Sequence, residues 1–214
     1  MIDAAFLRRT AVCVTLAFCV NTAASGGSFD DLFQAVRTND ASTVTALLHK
    51  GMDPDTTDSD GNTILMTAIH EGNEEVANII LNAHPNVNSS NRHGETALML
   101  AAFRGSESLA TALLARKAEV NRRGWTPLSY AAFNGHTAVA RLLLDHGAVV
   151  DARSENGTTA LMVAAKGGHM EIVKLLLQRH ADPNAANGNG ATATSLALEA
   201  GNTHIAELLA EHRQ

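Results

Sequence analysis

The residues of this chain that could bind a metal or act in catalysis are mainly its 10 histidines and 22 carboxylates. His70, Glu71 and Glu74 superficially resemble a zinc-protease motif, in which two histidines and a general base share one helical face. Gly72 lies between them and is typical of a turn between helices. We therefore expect these side chains to lie on different helices, where they cannot form that site.

Histidines also recur in what looks like a turn, at His136, His169 and His204. Metal ligands must converge on one point, whereas these residues are spread along the chain at wide intervals. We interpret them as structural. The sequence offers no third group beside any of them that would complete a catalytic or metal site.

An acidic segment at residues 53–61 has the carboxylates that calcium prefers. An EF-hand loop requires Gly at its sixth position and Glu at its twelfth, and this spacing is absent. We interpret the segment as a solvated acidic turn. Gly188 and Gly190 indicate another turn and no phosphate-binding loop, because no strand precedes them. The sequence thus predicts no catalytic residue, no cofactor and no metal.

The first 25 residues differ in composition from the rest of the chain. Arg8 and Arg9 precede an apolar run at residues 11–20, which small residues follow. This order is typical of a cleavable signal peptide, and we expect cleavage after Ala24 or Ser25. The run is about half of the roughly 20 residues that a transmembrane helix needs. We therefore expect no membrane insertion after cleavage.

Both cysteines, Cys13 and Cys19, fall within this segment, so the mature chain should form no disulfide. In an alternative interpretation, residues 16–19 form a lipoprotein box and Cys19 anchors the chain through a lipid; Phe18 occupies a position where that motif has a small residue. The formal charge of −6 argues against nucleic-acid binding, because phosphates attract basic surfaces.

A turn glycine followed closely by Thr and an apolar run recurs at intervals of 33, 30, 33 and 33 residues. Leu and Ala recur after it at helical spacing, which gives each unit an apolar face that a lone helix pair cannot bury. Stacking of such units is the expected solution. The glycines are Gly61, Gly94, Gly124, Gly157 and Gly190.

The segments at residues 126–132 and 159–165 resemble the first-helix signature of ankyrin repeats, and residues 135–144 and 168–177 resemble their second helix. The resemblance covers nearly all of the chain from about Phe29. It implies an all-α solenoid of stacked helix-turn-helix units with β-turn fingers. The predicted domain is 26–214, with about six repeats at roughly 29–57, 58–90, 91–121, 122–153, 154–186 and 187–214.

Ankyrin proteins typically bind partners through the finger tips and the exposed end of the first helix, so the resemblance also indicates candidate residues. In the third and fourth repeats these positions combine arginines with aromatic residues, the types that dominate binding hot spots. The predicted partner-binding residues are Arg92, His93, Phe103, Arg104, Arg122, Arg123, Trp125, Phe133 and Asn134.

The 30-residue interval removes three residues before Trp125, the only tryptophan of the chain. We expect a shortened finger there and a notch beside Trp125 that could accept a side chain or loop of a partner. In the alternative interpretation Trp125 folds against a neighbouring finger and the deletion is neutral.

The leading functional hypothesis is a non-catalytic, monomeric module that binds another protein in a bacterial periplasm, with further secretion also open. The chain resembles exported bacterial ankyrin-repeat proteins. That resemblance suggests either an accessory protein for a periplasmic stress enzyme such as catalase, or an immunity protein that neutralises a toxin. An enzyme or metal binder built on the solenoid is the alternative of another class.

Overall fold

A computed structural model describes residues 29–212, so the predicted signal peptide lies outside the described residues. The described chain forms twelve α-helices in six pairs, which confirms the predicted all-α solenoid. The helices are α1 (Phe29–Arg37), α2 (Ala41–His49), α3 (Ile64–Glu71), α4 (Glu74–Asn82), α5 (Ala97–Arg104), α6 (Glu107–Ala115), α7 (Pro127–Asn134), α8 (Thr137–Asp145), α9 (Ala160–Gly167), α10 (Met170–Gln178), α11 (Ala193–Glu199) and α12 (Thr203–Glu211).

From the second repeat onward, a threonine begins the first helix of each pair. In α7, the hydroxyl of Thr126 accepts a hydrogen bond from the backbone N–H of Ser129 at 3.2 Å, and Pro127 occupies the first helical turn. These are the two residue types that favour a helix start, because the hydroxyl satisfies a free N–H and proline needs none. The same threonine cap is found at Thr63, Thr96, Thr159 and Thr192.

The helices form two layers. The first helices of successive pairs pack against one another, and the second helices form the other layer. Alanine pairs such as Ala131–Ala132 and Ala164–Ala165 are fully buried in the first layer, where their small size permits close approach. Leucines such as Leu98, Leu128 and Leu161 fill the space between the layers and give one continuous core.

Just before the second helix of a repeat, a side chain donates a hydrogen bond to the preceding repeat. The acceptor is a carbonyl at the end of that repeat's first helix, and we call this hydrogen bond a rung. His136 Nε2 donates to the Phe103 carbonyl at 3.0 Å, and His169 Nε2 donates to the Phe133 carbonyl at 2.9 Å. The structural interpretation of these two histidines is confirmed. Asparagine forms the rung in the second and sixth repeats, as in the 2.8 Å contact of Asn73 Nδ2 with the Val36 carbonyl. In the third repeat, Ser106 occupies this position and donates to the Glu74 carboxylate instead.

The last repeat departs from the prediction for His204. Asn202 occupies the rung position and donates to the Ala165 carbonyl at 3.0 Å. His204 lies two residues later on α12, exposed, with its Nδ1 3.3 Å from a carboxylate oxygen of Glu207. The interpretation of His204 as a turn residue was therefore wrong, because Asn-Thr-His replaces the His-x-x order of the earlier repeats.

Candidate binding surface

The fingers are short hairpin turns at residues 58–62, 91–95, 154–158 and 187–191. A backbone hydrogen bond closes each one, as in the 3.0 Å contact from Asn91 N to the Glu95 carbonyl. Neighbouring fingers also join: Arg92 N donates to the Asp60 carbonyl, and Gly188 N donates to the Asn156 carbonyl. The fingers thus form two linked pairs, one in repeats two and three and one in repeats five and six.

The fourth finger, residues 121–125, interrupts this series. Within the described chain it has no closing backbone hydrogen bond and no backbone bond to a neighbouring finger. The 30-residue interval explains the difference, because three missing residues leave too little chain for the hairpin. The predicted shortened finger is present, and Trp125 stands at its end.

Four rings meet at this interruption: Phe103, Trp125, Tyr130 and Phe133, which we call the aromatic cluster. The ring centroids of Trp125 and Tyr130 lie 5.4 Å apart, and those of Trp125 and Phe133 lie 6.0 Å apart. Phe103 meets Tyr130 edge-on at 6.1 Å. All four side chains are only partly buried. Trp125 therefore packs on two rings of the first helix of its own repeat.

A series of hydrogen-bonded polar side chains connects the cluster to the second and third fingers. The Tyr130 hydroxyl donates to Glu95 Oε1 at 3.1 Å, and Asn91 Nδ2 donates to Glu95 Oε2 at 2.9 Å and to Asn62 Oδ1 at 2.8 Å. Burial, then the negative charge of Glu95 and then this hydrogen bond raise the pKa of Tyr130 well above its ordinary value. Tyr130 consequently stays neutral and remains a hydrogen-bond donor over the physiological range.

The predicted arginines do not converge on the rings as a group. Arg92 lies along Gly61 of the second finger, and the Arg104 guanidinium lies over Gly72 of the second repeat. Arg122 Nη1 donates to the Asn88 carbonyl at 3.3 Å and lies 3.9 Å from a Glu119 carboxylate oxygen. Arg123 is exposed on the short finger. Three of the four arginines therefore contact other parts of repeats two to four.

The other predicted residues support the cluster or border it. Asn134 Nδ2 donates to the Phe103 carbonyl at 2.6 Å, beside the His136 rung. His93 is exposed at the tip of the third finger, where its backbone N–H donates to Asn91 Oδ1 at 2.9 Å. The predicted set thus includes three of the four rings of the cluster.

Sequence reasoning did not include Tyr130 among the candidate residues. A usable signal was present, because Tyr130 and Phe133 are three residues apart on one helix and such residues lie on the same face. Glu95 precedes the Thr96 cap at the same position as Trp125 before Thr126. The two residues therefore occupy equivalent places in adjacent repeats.

The sites considered for other chemistry are not assembled in the described residues. Gly72 adopts a left-handed conformation and separates His70 on α3 from Glu74 on α4, as expected. In the acidic segment, Asp58 Oδ1 accepts backbone N–H groups of Asp60 and Asn62, so this carboxylate stabilises its turn. Within residues 29–212, no group of three or more His, Cys, Asp or Glu side chains could hold a metal ion.

Among the described helices, none has both the length and the apolar character needed to cross a membrane. This finding concerns residues 29–212.

Comparison with known proteins gives the fold relationship. The family model for ankyrin repeats (3 copies) matches residues 32–123, 72–154 and 117–187, which together cover more than half of the chain. The crystal structure of the human ASB11 ankyrin repeat domain superposes with a TM-score of 0.79 at 23% identity, over 86% of this chain and 83% of that chain. Comparison with curated proteins gave no match. The chain belongs to the ankyrin-repeat family.

Proposed function

We propose that this protein is a non-catalytic module that binds another protein through the finger side of its third and fourth repeats. The ankyrin-repeat fold is typically an interaction scaffold. The observation that carries the proposal is the aromatic cluster, which is only partly buried and lies at the interruption of the finger series. Aromatic side chains at an interface contribute strongly to binding because they bury a large area with little loss of conformational freedom.

We also propose that the protein acts in a bacterial periplasm. The support is the order of basic, apolar and small residues in the first 25 positions. Expression of the full chain in a bacterium, followed by fractionation and N-terminal sequencing, tests this proposal. We expect a periplasmic chain that begins at Ser25 or Gly26. A chain that keeps Met1, or one lipidated at Cys19, would contradict it.

The test of binding is affinity capture from a periplasmic extract of the source cell, with the wild-type protein and the Trp125→Ala variant immobilised in parallel. We expect the wild type to retain a stoichiometric partner and Trp125→Ala to lose it, with a drop in affinity of tenfold or more, as for a hot-spot residue.

A matched control is Leu198→Ala, because Leu198 is 57% exposed and lies on α11 of the sixth repeat, two repeats away from the aromatic cluster. Circular dichroism should show the same helix content for both variants. Equal retention of the partner by Trp125→Ala and the wild type, with folding intact, would refute this binding surface.

A further inference from the structure

Glu95 carries a negative charge that the described protein does not neutralise. Within residues 29–212 it forms no ion pair with a Lys, Arg or His side chain. Its two hydrogen-bond donors, the Tyr130 hydroxyl and the Asn91 amide, are neutral groups. Because Glu95 is partly buried, water screens this charge less than it would on an open surface.

The neighbouring arginines do not supply the missing cation. Arg92 Cγ lies against Gly61 and the Arg104 guanidinium lies over Gly72, and neither side chain forms an ion pair with Glu95. Arg122 contacts the Asn88 carbonyl and the Glu119 carboxylate. The carboxylate therefore remains free to attract a cation from outside the chain.

The rings next to Glu95 favour a cation as well. Tyr130 connects the carboxylate to the cluster, since its hydroxyl contacts Glu95 while its ring contacts Trp125 and Phe103. The face of an aromatic ring carries negative electrostatic potential, and Trp and Tyr attract guanidinium and ammonium groups strongly. An acidic side chain would be repelled by both the ring faces and the carboxylate.

We infer that the partly buried surface formed by Glu95, Trp125 and Tyr130 binds a basic side chain, arginine or lysine, that projects from the partner protein. This inference rests on the proposed function and specifies the chemistry of the partner. The aliphatic stem of such a residue would pack on the rings, and its charged end would reach the Glu95 carboxylate. Trp125 is only partly buried, so part of its ring is accessible to such a residue.

The chain contains a reporter for the test, because Trp125 is its only tryptophan. We would titrate the purified protein with N-acetyl-arginine amide at constant ionic strength and record the tryptophan fluorescence. N-acetyl-citrulline amide is the matched neutral probe, since it has the same shape without the charge. We expect saturable binding of the arginine probe, about tenfold tighter than that of the citrulline probe.

Two variants locate the charge that matters. Glu95→Gln keeps an oxygen that accepts from Tyr130 but removes the charge, so the preference for the arginine probe should fall to the smaller part that the ring faces contribute. Tyr130→Phe keeps both the ring and the carboxylate, so the preference should persist. Circular dichroism of each variant verifies that it is folded.

Three results would overturn the inference: no saturable binding of the arginine probe, equal binding of the two probes, or an unchanged preference in a folded Glu95→Gln variant. The proposed function fails separately, if Trp125→Ala retains the captured partner. If Trp125→Ala loses the captured partner and the wild type shows no preference between the probes, the proposed binding surface is supported. The inference of a basic side chain is then wrong.

Discussion

Two edges of the fourth and fifth repeats differ in their hydrogen bonds. The turn side is the edge with the rungs before each second helix, and the finger side is the edge formed by the fingers. On the turn side, His136 and His169 both donate to a carbonyl of the preceding repeat, with nearly equal lengths of 3.0 and 2.9 Å. On the finger side, the hairpin bond of residues 154–158 has no counterpart in residues 121–125. One side repeats its contacts, whereas the other is interrupted.

We interpret this difference as a separation between contacts that stabilise the stack and the surface proposed to bind a partner. In a repeat stack each unit is stabilised mainly by its neighbours, so contacts that recur in every unit maintain the whole. A side chain that departs from the repeat is less constrained by packing and is available for a partner. We therefore expect substitutions at repeated positions to affect unfolding and substitutions in the aromatic cluster to affect binding.

The largest expected effect compares two large apolar residues of the fourth repeat. Leu128 is 1% exposed in the core, whereas Trp125 is only partly buried. Leu128→Ala should lower the free energy of unfolding by about 3 kcal/mol, because it creates a cavity. Trp125→Ala should lower it by only about 1 kcal/mol, because the ring is partly in water already and only its buried part and two ring contacts are lost. Urea denaturation measures both, and equal losses would contradict the separation.

A smaller effect concerns two glycines with similar left-handed backbones, Gly135 (φ 78°) and Gly147 (φ 85°). An alanine Cβ at Gly147 meets no atom within 4 Å, so Gly147→Ala should cost about 1 kcal/mol of backbone strain. At Gly135 the Cβ would lie 2.7 Å from Nδ1 of His169, which forms a rung.

Gly135→Ala should therefore cost about 2 kcal/mol, since the strain is added to a displaced imidazole. Thermal or urea unfolding of the two variants provides the measurement. If the two variants lose the same free energy of unfolding, the imidazole of His169 moves without an energetic cost and its rung contributes little to stability.

The smallest expected effect is a gain. Thr194 in α11 replaces the leucine of the earlier first helices, and its hydroxyl oxygen is buried without a hydrogen-bond partner. Thr194→Val keeps the shape and removes the unpaired group, so unfolding should require about 1 kcal/mol more. Thr192→Val is the control, because Thr192 caps α11 and its loss should destabilise by about 1 kcal/mol. If Thr194→Val is instead less stable than the wild type, the Thr194 hydroxyl stabilises the fold and the prediction is wrong.

The sequence was sufficient to predict the elements of the fold. The Thr caps, the turn glycines and the helical spacing of Leu and Ala recur often enough to locate six helix pairs, because each signal acts within a few residues. The shortened finger also followed from counting residues between Gly94 and Gly124. These features depend on local chemistry and on chain length.

The directions of long side chains could not be predicted in the same way. Arg122 was expected on the binding surface, but it extends to Asn88, 34 residues earlier in the chain. Arg104 likewise lies over a glycine of the preceding repeat. A long, flexible side chain can reach several carbonyls and turns, and these come near it only in the folded stack. Its position therefore depends on tertiary contacts that the sequence of one repeat does not encode.

The interruption at residues 121–125 also has a mechanical consequence. Backbone hydrogen bonds connect the finger tips of repeats two and three, and those of repeats five and six, into two stiff edges. The fourth repeat separates these edges, and we expect it to act as a joint on that side of the solenoid. Bending of the stack should concentrate there, so a ligand seated on Trp125 would also set the curvature between the two halves.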